Sequence, residues 1–175
     1  VIKQLVFEEM RVGAAELHDA LKANWEGHEA LYHLVNHAVF KSLLFLNAGA
    51  IEYATGTRDL KRLGGLRGPL PVTGTTSLVA SMSIAGIPPF NGFWSKLIII
   101  LALFKGGFWI YGTIGVLVGF VTLVYFVMLQ KEALFGKVPE ALEKIKEAPF
   151  AMVLPLVVLA ALCVAMGIGY MAVEG

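Results

Sequence analysis

The sequence carries little charge for its length. Of its 175 residues, 15% are charged and 57% are hydrophobic, whereas a soluble domain has about 25% charged residues. The formal net charge is only +1, which excludes a strongly basic surface for nucleic acid. This balance predicts an integral membrane protein.

Cysteine and the common catalytic motifs are also scarce. Cys163 is the only cysteine, so neither a disulfide framework nor a cysteine-based metal site can form within the chain. There is no glycine-rich phosphate loop and no Ser, His and Asp set, and two histidines without a third ligand are weak grounds for a metal site. We therefore predict no cofactor, no metal and no catalytic residue in this chain, and whether it forms part of an enzyme complex stays open.

Long apolar runs make up most of the chain. About 20 apolar residues suffice to cross the hydrocarbon core, and we predict spans at about 30–54, 71–87, 90–105, 107–130 and 149–170. We place a tight return of the chain at Pro88-Pro89, because consecutive prolines interrupt a helix. Residues 1–27, with apolar residues recurring between charged ones, are predicted to form an amphipathic segment outside the bilayer, and residues 28–175 the transmembrane domain.

The positive residues do not settle the orientation if the chain crosses five times. Seven lysines and arginines would then lie on one side of the membrane and five on the other. This difference is too small for the positive-inside rule to decide.

The first span places three ionisable side chains inside an apolar run. His33, His37 and Lys41 in HLVNHAVFKSLLFL are four residues apart, so they share one helix face. A lysine at a span centre costs about 2.5–3.5 kcal/mol on insertion scales, and Lys41 is too deep to reach water easily. Titratable groups one turn apart suit a proton relay. The alternative is a structural role in interhelical hydrogen bonds or an ion pair.

Three further ionisable residues are candidates for the same relay. Lys96 follows Pro88-Pro89 by seven residues, and its alternative is to reach the membrane surface. Lys146 and Glu147 come directly before the last span. Their alternative is the solvated start of an ordinary helix.

Three stretches together resemble a known family. They are HLVNHAVFKSLLFLNAGAIEYATGTRDLKRLGGL, LVASMSIAGIPPFNGFWSKLIII and KEAPFAMVLPLVVLAALCVAMGIG. They are similar to the antiporter-like subunits, which comprise the large subunits of Mrp sodium/proton antiporters, the proton-pumping membrane subunits of respiratory complex I and their counterparts in membrane-bound hydrogenases. The match covers roughly residues 28–170 and is closer to the Mrp and hydrogenase types.

The resemblance implies an all-α integral membrane fold with about five transmembrane helices, forming one inverted repeat with a broken helix. We place the break at Pro155, because proline interrupts the helical hydrogen bonds. The resemblance also implies a midplane relay for protons or ions, made of His33, His37, Lys41, Lys96, Lys146 and Glu147. Since the family has further helices before these, the chain is expected to be a C-terminal half-unit in a prokaryotic cytoplasmic membrane. It is either a piece of a longer subunit or a truncated subunit in its own right.

Two functions remain open at this point. The first is a proton- or sodium-translocating half-unit of an energy-converting membrane complex, with other antiporter-like and redox subunits and the lipid bilayer as its partners. The second is a structural membrane subunit that does not transport and packs at the edge of such a complex. Hydration beside Lys41 separates them, because a relay needs a wet line whereas a structural lysine would be buried dry against a carboxylate.

Overall fold

The computed structural model describes residues 29–174. Its five α-helices are α1 (Glu29–Thr55), α2 (Pro71–Ala85), α3 (Asn91–Lys105), α4 (Trp109–Leu134) and α5 (Phe150–Glu174), and two single-turn 3₁₀ helices lie in the connectors at Leu60–Arg62 and Glu140–Leu142. No strand occurs within the described residues. The prediction of an all-α fold of five helices is confirmed, while the predicted amphipathic segment 1–27 lies outside the described residues.

Three of these helices are long and apolar enough to cross a membrane alone. They are Leu31–Thr55 of α1, Trp109–Leu134 of α4 and Phe150–Tyr170 of α5. Helices α2 and α3 have 15 residues each, which is about 22 Å at 1.5 Å per residue. Each is therefore shorter than the hydrocarbon core of about 30 Å.

Helices α2 and α3 run one after the other along the length of α4 and form one broken helix. At the start of α2, the amide of Arg67 donates to the carbonyl of Leu134, at the end of α4 (3.2 Å). At the end of α3, the ring of Phe104 lies against Gly112, near the start of α4. Since the two ends of the α2–α3 pair lie at opposite ends of α4, the pair crosses the membrane once.

The predicted return of the chain at Pro88-Pro89 is therefore wrong. Gly86 ends α2 with a φ of 76°, and the amides of Gly86 and Ile87 donate back to the carbonyls of Ser83 and Met82 (3.1 and 3.0 Å). This pattern is the Schellman ending of a helix, in which glycine supplies the left-handed residue. The Pro88-Pro89 peptide bond is cis, and the chain then continues into α3 in the same overall direction.

The predicted break at Pro155 is also wrong. Helix α5 continues through Pro155 from Phe150 to Glu174, because its neighbours hold it on both sides of the proline. The core cluster between α1, α2 and α5 includes Leu156 and Cys163 after the proline, and Met152 and Val153 before the proline pack against it. The broken helix that the resemblance implies is present, but its break lies at residues 86–90.

With one crossing for α2 and α3 together, both long connectors lie on one side of the membrane. The amide of Gly65 in connector 56–70 donates to the carbonyl of Phe135 in connector 135–149 (3.1 Å). A second core cluster, including Leu66, Leu70 and Leu142, packs beneath them. We call this side of the protein the connector side.

Candidate ion-relay site

Helix α1 carries its ionisable residues as a ladder. The ring centroids of His33 and His37 are 6.0 Å apart, and His37 also meets the ring of Phe40 edge-on at 5.2 Å. One turn further, the Lys41 ammonium lies 5.5 Å from the ring centroid of Phe45. The spacing predicted from the sequence is present, with one chargeable side chain in each turn.

The ladder turns away from the core as it advances. A step of four residues overshoots a full turn by about 40° in a helix of 3.6 residues per turn. His33 is half-buried and His37 is exposed, whereas the buried face of α1 is formed by Asn36, Phe40, Leu43 and Asn47. Lys41 makes no ion pair with any of the described residues. The ladder thus turns from the buried face of α1 toward the face that carries the exposed Phe45, and Lys41 itself is half-buried there.

Lys96 connects the two halves of the broken helix. Its ammonium, on the second turn of α3, donates to the backbone carbonyl of Ile84 in the last turn of α2. The last four carbonyls of a helix lack partners within it and carry its negative dipole end. A cation is therefore favoured there, and Lys96 supplies one at the break.

His33 and Lys96 line the same cleft. It has a volume of about 220 Å³, and its other walls come from α3 and α4, at Ile99, Ile100, Gly115, Val118, Gly119 and Thr122. The Nδ1 atom of His33 is buried and has no hydrogen-bond partner among the described residues. The structure therefore brings the first residue of the ladder and Lys96 to one place beside the break.

Lys146 and Glu147 lie apart from this group. Glu147 accepts hydrogen bonds from the amides of Val72 (2.8 Å) and Thr73 (3.3 Å) and from the Thr73 hydroxyl, at the first turn of α2. Helix starts have amides without partners, and a carboxylate satisfies them. Glu147 is thus a helix cap at the connector side, and Lys146 is exposed to the surroundings.

The sequence analysis missed a group of buried polar residues on α2 and α4. Ser77 and Ser81 contact the amide of Gln130, and the Thr76 hydroxyl donates to Asn47 of α1 (2.8 Å). All of these side chains are at most 6% exposed. The recurrence of hydroxyl residues at intervals of four in PVTGTTSLVASMS was a visible signal, but their partner Gln130 had none.

Comparison with known proteins points to one family. Residues 15–122 match the family model described as "NADH:quinone oxidoreductase/Mrp antiporter, TM". A Na(+)/H(+) antiporter subunit from Bacillus subtilis is 42% identical over 149 residues, and its counterpart from Alkalihalophilus pseudofirmus is 39% identical over 150 residues. These matches cover 78% and 79% of the chain but 19% of each relative, so the chain spans about a fifth of the length of these relatives.

Solved structures share the same fold. The archaeal membrane-bound sulfane sulfur reductase superposes with a TM-score of 0.75 at 37% identity, over 79% of this chain and 23% of that one. The Mrp complex from Dietzia sp. also gives a TM-score of 0.75, at 24% identity over 83% of this chain and 35% of that one. The second likeness concerns the fold alone.

Proposed function

The chain belongs to the NADH:quinone oxidoreductase/Mrp antiporter transmembrane family, and from this membership we propose that it is an ion-translocating part of a multi-subunit membrane complex. It is a multi-pass protein of the cell membrane. In our proposal it moves protons, or protons in exchange for sodium, through Lys96, His33, His37 and Lys41. The observation that carries the proposal is the cleft shared by His33 and Lys96 at the break of the α2–α3 helix.

The break supplies the physical basis for this role. Irregular backbone at membrane depth is tolerated only where it is buried in protein or lines a water-filled cavity, and transporters place their ion sites at such helix ends. Lys96 holds its charge against the carbonyl of Ile84. A proton released from Lys96 passes in this proposal to the half-buried His33, the residue of α1 that lines the same cleft, and His37 and Lys41 continue the line one turn at a time.

The path needs a neighbour to be complete. The half-buried Lys41 ends the ladder on the face of α1 that carries the exposed Phe45. The matched relatives are named as part of an antiporter and as an archaeal respiratory membrane complex. We propose that a neighbouring protein of the complex covers this face, receives the ion from Lys41 and is coupled to the module that drives transport.

A purely structural role would require different contacts of Lys41 and Lys96. A lysine retained only to hold helices together would be paired with a buried carboxylate. The contact of Lys41 within residues 29–174 is the ring of Phe45, and Lys96 contacts a backbone carbonyl. These contacts favour mobile protons over a fixed ion pair.

The test is ion transport by the assembled complex in everted membrane vesicles, with Lys96→Ala and Lys41→Ala. Lys105→Ala is the matched control, because Lys105 is exposed on the same helix as Lys96. We expect both relay variants to assemble normally and to lose at least tenfold in transport rate, and the control to be unchanged. Normal transport by a fully assembled Lys96→Ala complex would overturn the proposal.

A further inference from the structure

One face of α2 carries a row of buried hydroxyl groups. Thr73, Ser77 and Ser81 are four residues apart, so they lie above one another on this face, and they are 1%, 6% and 4% exposed. A hydroxyl in a membrane helix commonly bonds to the carbonyl four residues earlier, as that of the exposed Thr75 does with Pro71 (2.7 Å). The hydroxyls of the row are instead bound to other elements.

Gln130 of α4 joins the two inner members of the row. Its amide nitrogen donates to the Ser77 hydroxyl (3.2 Å) and to the Ser81 hydroxyl, and the Ser77 hydroxyl reaches its amide oxygen at 3.5 Å. The two hydroxyls stand a helical turn apart, about 6 Å, which is too far for a direct hydrogen bond. The amide therefore bridges them.

The row has a carboxylate at one end and a cation at the other. At the connector side, Thr73 donates its hydroxyl proton to Glu147. At the opposite end, the turn after Ser81 presents the carbonyl of Ile84, which holds the Lys96 ammonium. The polar groups thus lead from the edge of the protein to the relay lysine along α2.

A cleft reaches the middle of this row from the connector side. It has a volume of about 550 Å³ and extends from Glu52 and the exposed Arg58 to Asn47, Ser77 and Gln130. Polar residues between membrane helices often serve only to hold them together. Here Ser77, Gln130 and Ser81 are joined by hydrogen bonds, and the row they belong to is open to a cleft at its middle and leads to a titratable group at its end.

We propose that Thr73, Ser77, Ser81 and Gln130 form the route by which protons travel between the connector side and Lys96. Water admitted through the cleft carries the proton between hydroxyls that stand a turn apart and from Ser81 to Lys96. Each hydroxyl accepts one proton and passes on another, so none of them changes its net protonation. Gln130 is a positioning residue that holds the Ser77 and Ser81 hydroxyls in place. The inference rests on the proposed function, because it needs Lys96 to accept and release protons.

Transport by the assembled complex tests the route. We expect Gln130→Leu and the double variant Ser77→Ala/Ser81→Ala to lower the proton transport rate at least tenfold. Gln130→Glu and Ser81→Thr keep polar oxygens at these positions and should stay within about threefold of the parent. Thr75→Val removes a hydroxyl from the same helix outside the row, and it should leave the rate unchanged.

The outcomes separate the route from the relay itself. If Lys96→Ala abolishes transport while Gln130→Leu and the double variant keep the full rate, the route is wrong and the relay stands. If Lys96→Ala transports normally, the proposed function fails and the route with it. Loss of transport in Thr75→Val equal to that in the row variants would also overturn the route, because hydroxyl removal in general would then explain it.

If the Gln130 and serine variants do not assemble, a second measurement on cysteine variants tests the route. In a complex without other reactive cysteines, with Cys163→Ser, a small membrane-impermeant thiol reagent is added from the connector side to Ser77→Cys and, separately, to Thr75→Cys. We expect the reagent to block transport in the Ser77→Cys complex and to leave transport in the Thr75→Cys complex unchanged. A modified Ser77→Cys complex that transports at its full rate would overturn the route.

Discussion

Two glycines allow the backbone around the break to pack closely. A Cβ atom at Gly92 would collide with the carbonyl of Ser83, and a Cβ at Gly167 would collide with the carbonyl of Pro89 and lie 2.8 Å from the amide nitrogen of Asn91. Cβ atoms do not approach backbone atoms this closely, so the backbone would have to shift. The break is thus held between the end of α2 and helix α5 by contacts that any side chain would disturb.

The residue-scale prediction concerns Gly167. We expect Gly167→Ala to lower the midpoint temperature of unfolding of the detergent-extracted complex and to reduce transport, because α5 must move away from the break. Gly169→Ala is the matched control, since a Cβ at Gly169 has no neighbouring atom within 4 Å. Thermal unfolding of both variants is followed with a fluorescent thiol-reactive dye or by light scattering. Equal stability of the two variants would contradict this account of the packing.

The residues that could be predicted from the sequence are those that are costly in a membrane. Lys41 and Lys96 could be predicted as functional candidates without a structure, because a charged side chain inside a membrane span is costly and is kept there for a specific role. Ser77 and Gln130 were not predicted, because a hydroxyl or amide in a span is ordinary until its partner is known. That partner comes from a helix about fifty residues away and is fixed by tertiary packing.

At the scale of the element, the position of the break in the α2–α3 helix could be predicted from the sequence. The direction that the chain takes after the break could not. Gly86 and Pro88-Pro89 mark an interruption in any topology. Whether the chain returns or continues depends on contacts with α4, where Ser77 lies beside Gln130 and Phe104 beside Gly112. Local residues cannot distinguish the two cases. Pro155 shows the converse, because a proline inside a continuous α5 gives the same local signal as a break.

The prediction for the element concerns the cap of α2. Replacing Glu147 by Ala removes the acceptor for two backbone amides and the Thr73 hydroxyl, and we expect a loss of about 1–3 kcal/mol in stability. Glu143→Ala is the matched control, because Glu143 is exposed in the same connector. Urea or thermal unfolding of the extracted complex measures both variants. A Glu147→Ala complex as stable as Glu143→Ala would refute the capping role.

At the scale of the whole molecule, the single crossing of α2 and α3 changes how charge is distributed. Eight lysines and arginines of the described residues lie at or near the connector side, and Lys105 lies at the opposite end. The eight are Arg58, Lys61, Arg62, Arg67, Lys131, Lys137, Lys144 and Lys146. Positive residues in short loops favour the cytoplasm. We therefore predict that the connector side is cytoplasmic.

Labelling of introduced cysteines tests this orientation. In a Cys163→Ser background, Lys137→Cys should react with an impermeant reagent in everted vesicles, and Lys105→Cys only in cells with an intact membrane. Lys137 is exposed in connector 135–149 and Lys105 is exposed at the end of α3, so accessibility alone does not favour one of them. The reverse pattern would exclude the orientation, and labelling of both from one side would contradict the single crossing.

The broken helix also has a consequence for biosynthesis. Each half is shorter than the membrane is thick, the first is rich in hydroxyls, and the second contains Lys96. Gln130, which pairs with the first half, emerges from the ribosome only after both halves have emerged. We therefore expect residues 71–105 to stay at the insertion machinery until α4 has emerged, and to enter the lipid together with α4. A nascent chain that stops before Gln130 should leave this segment extractable from the membrane.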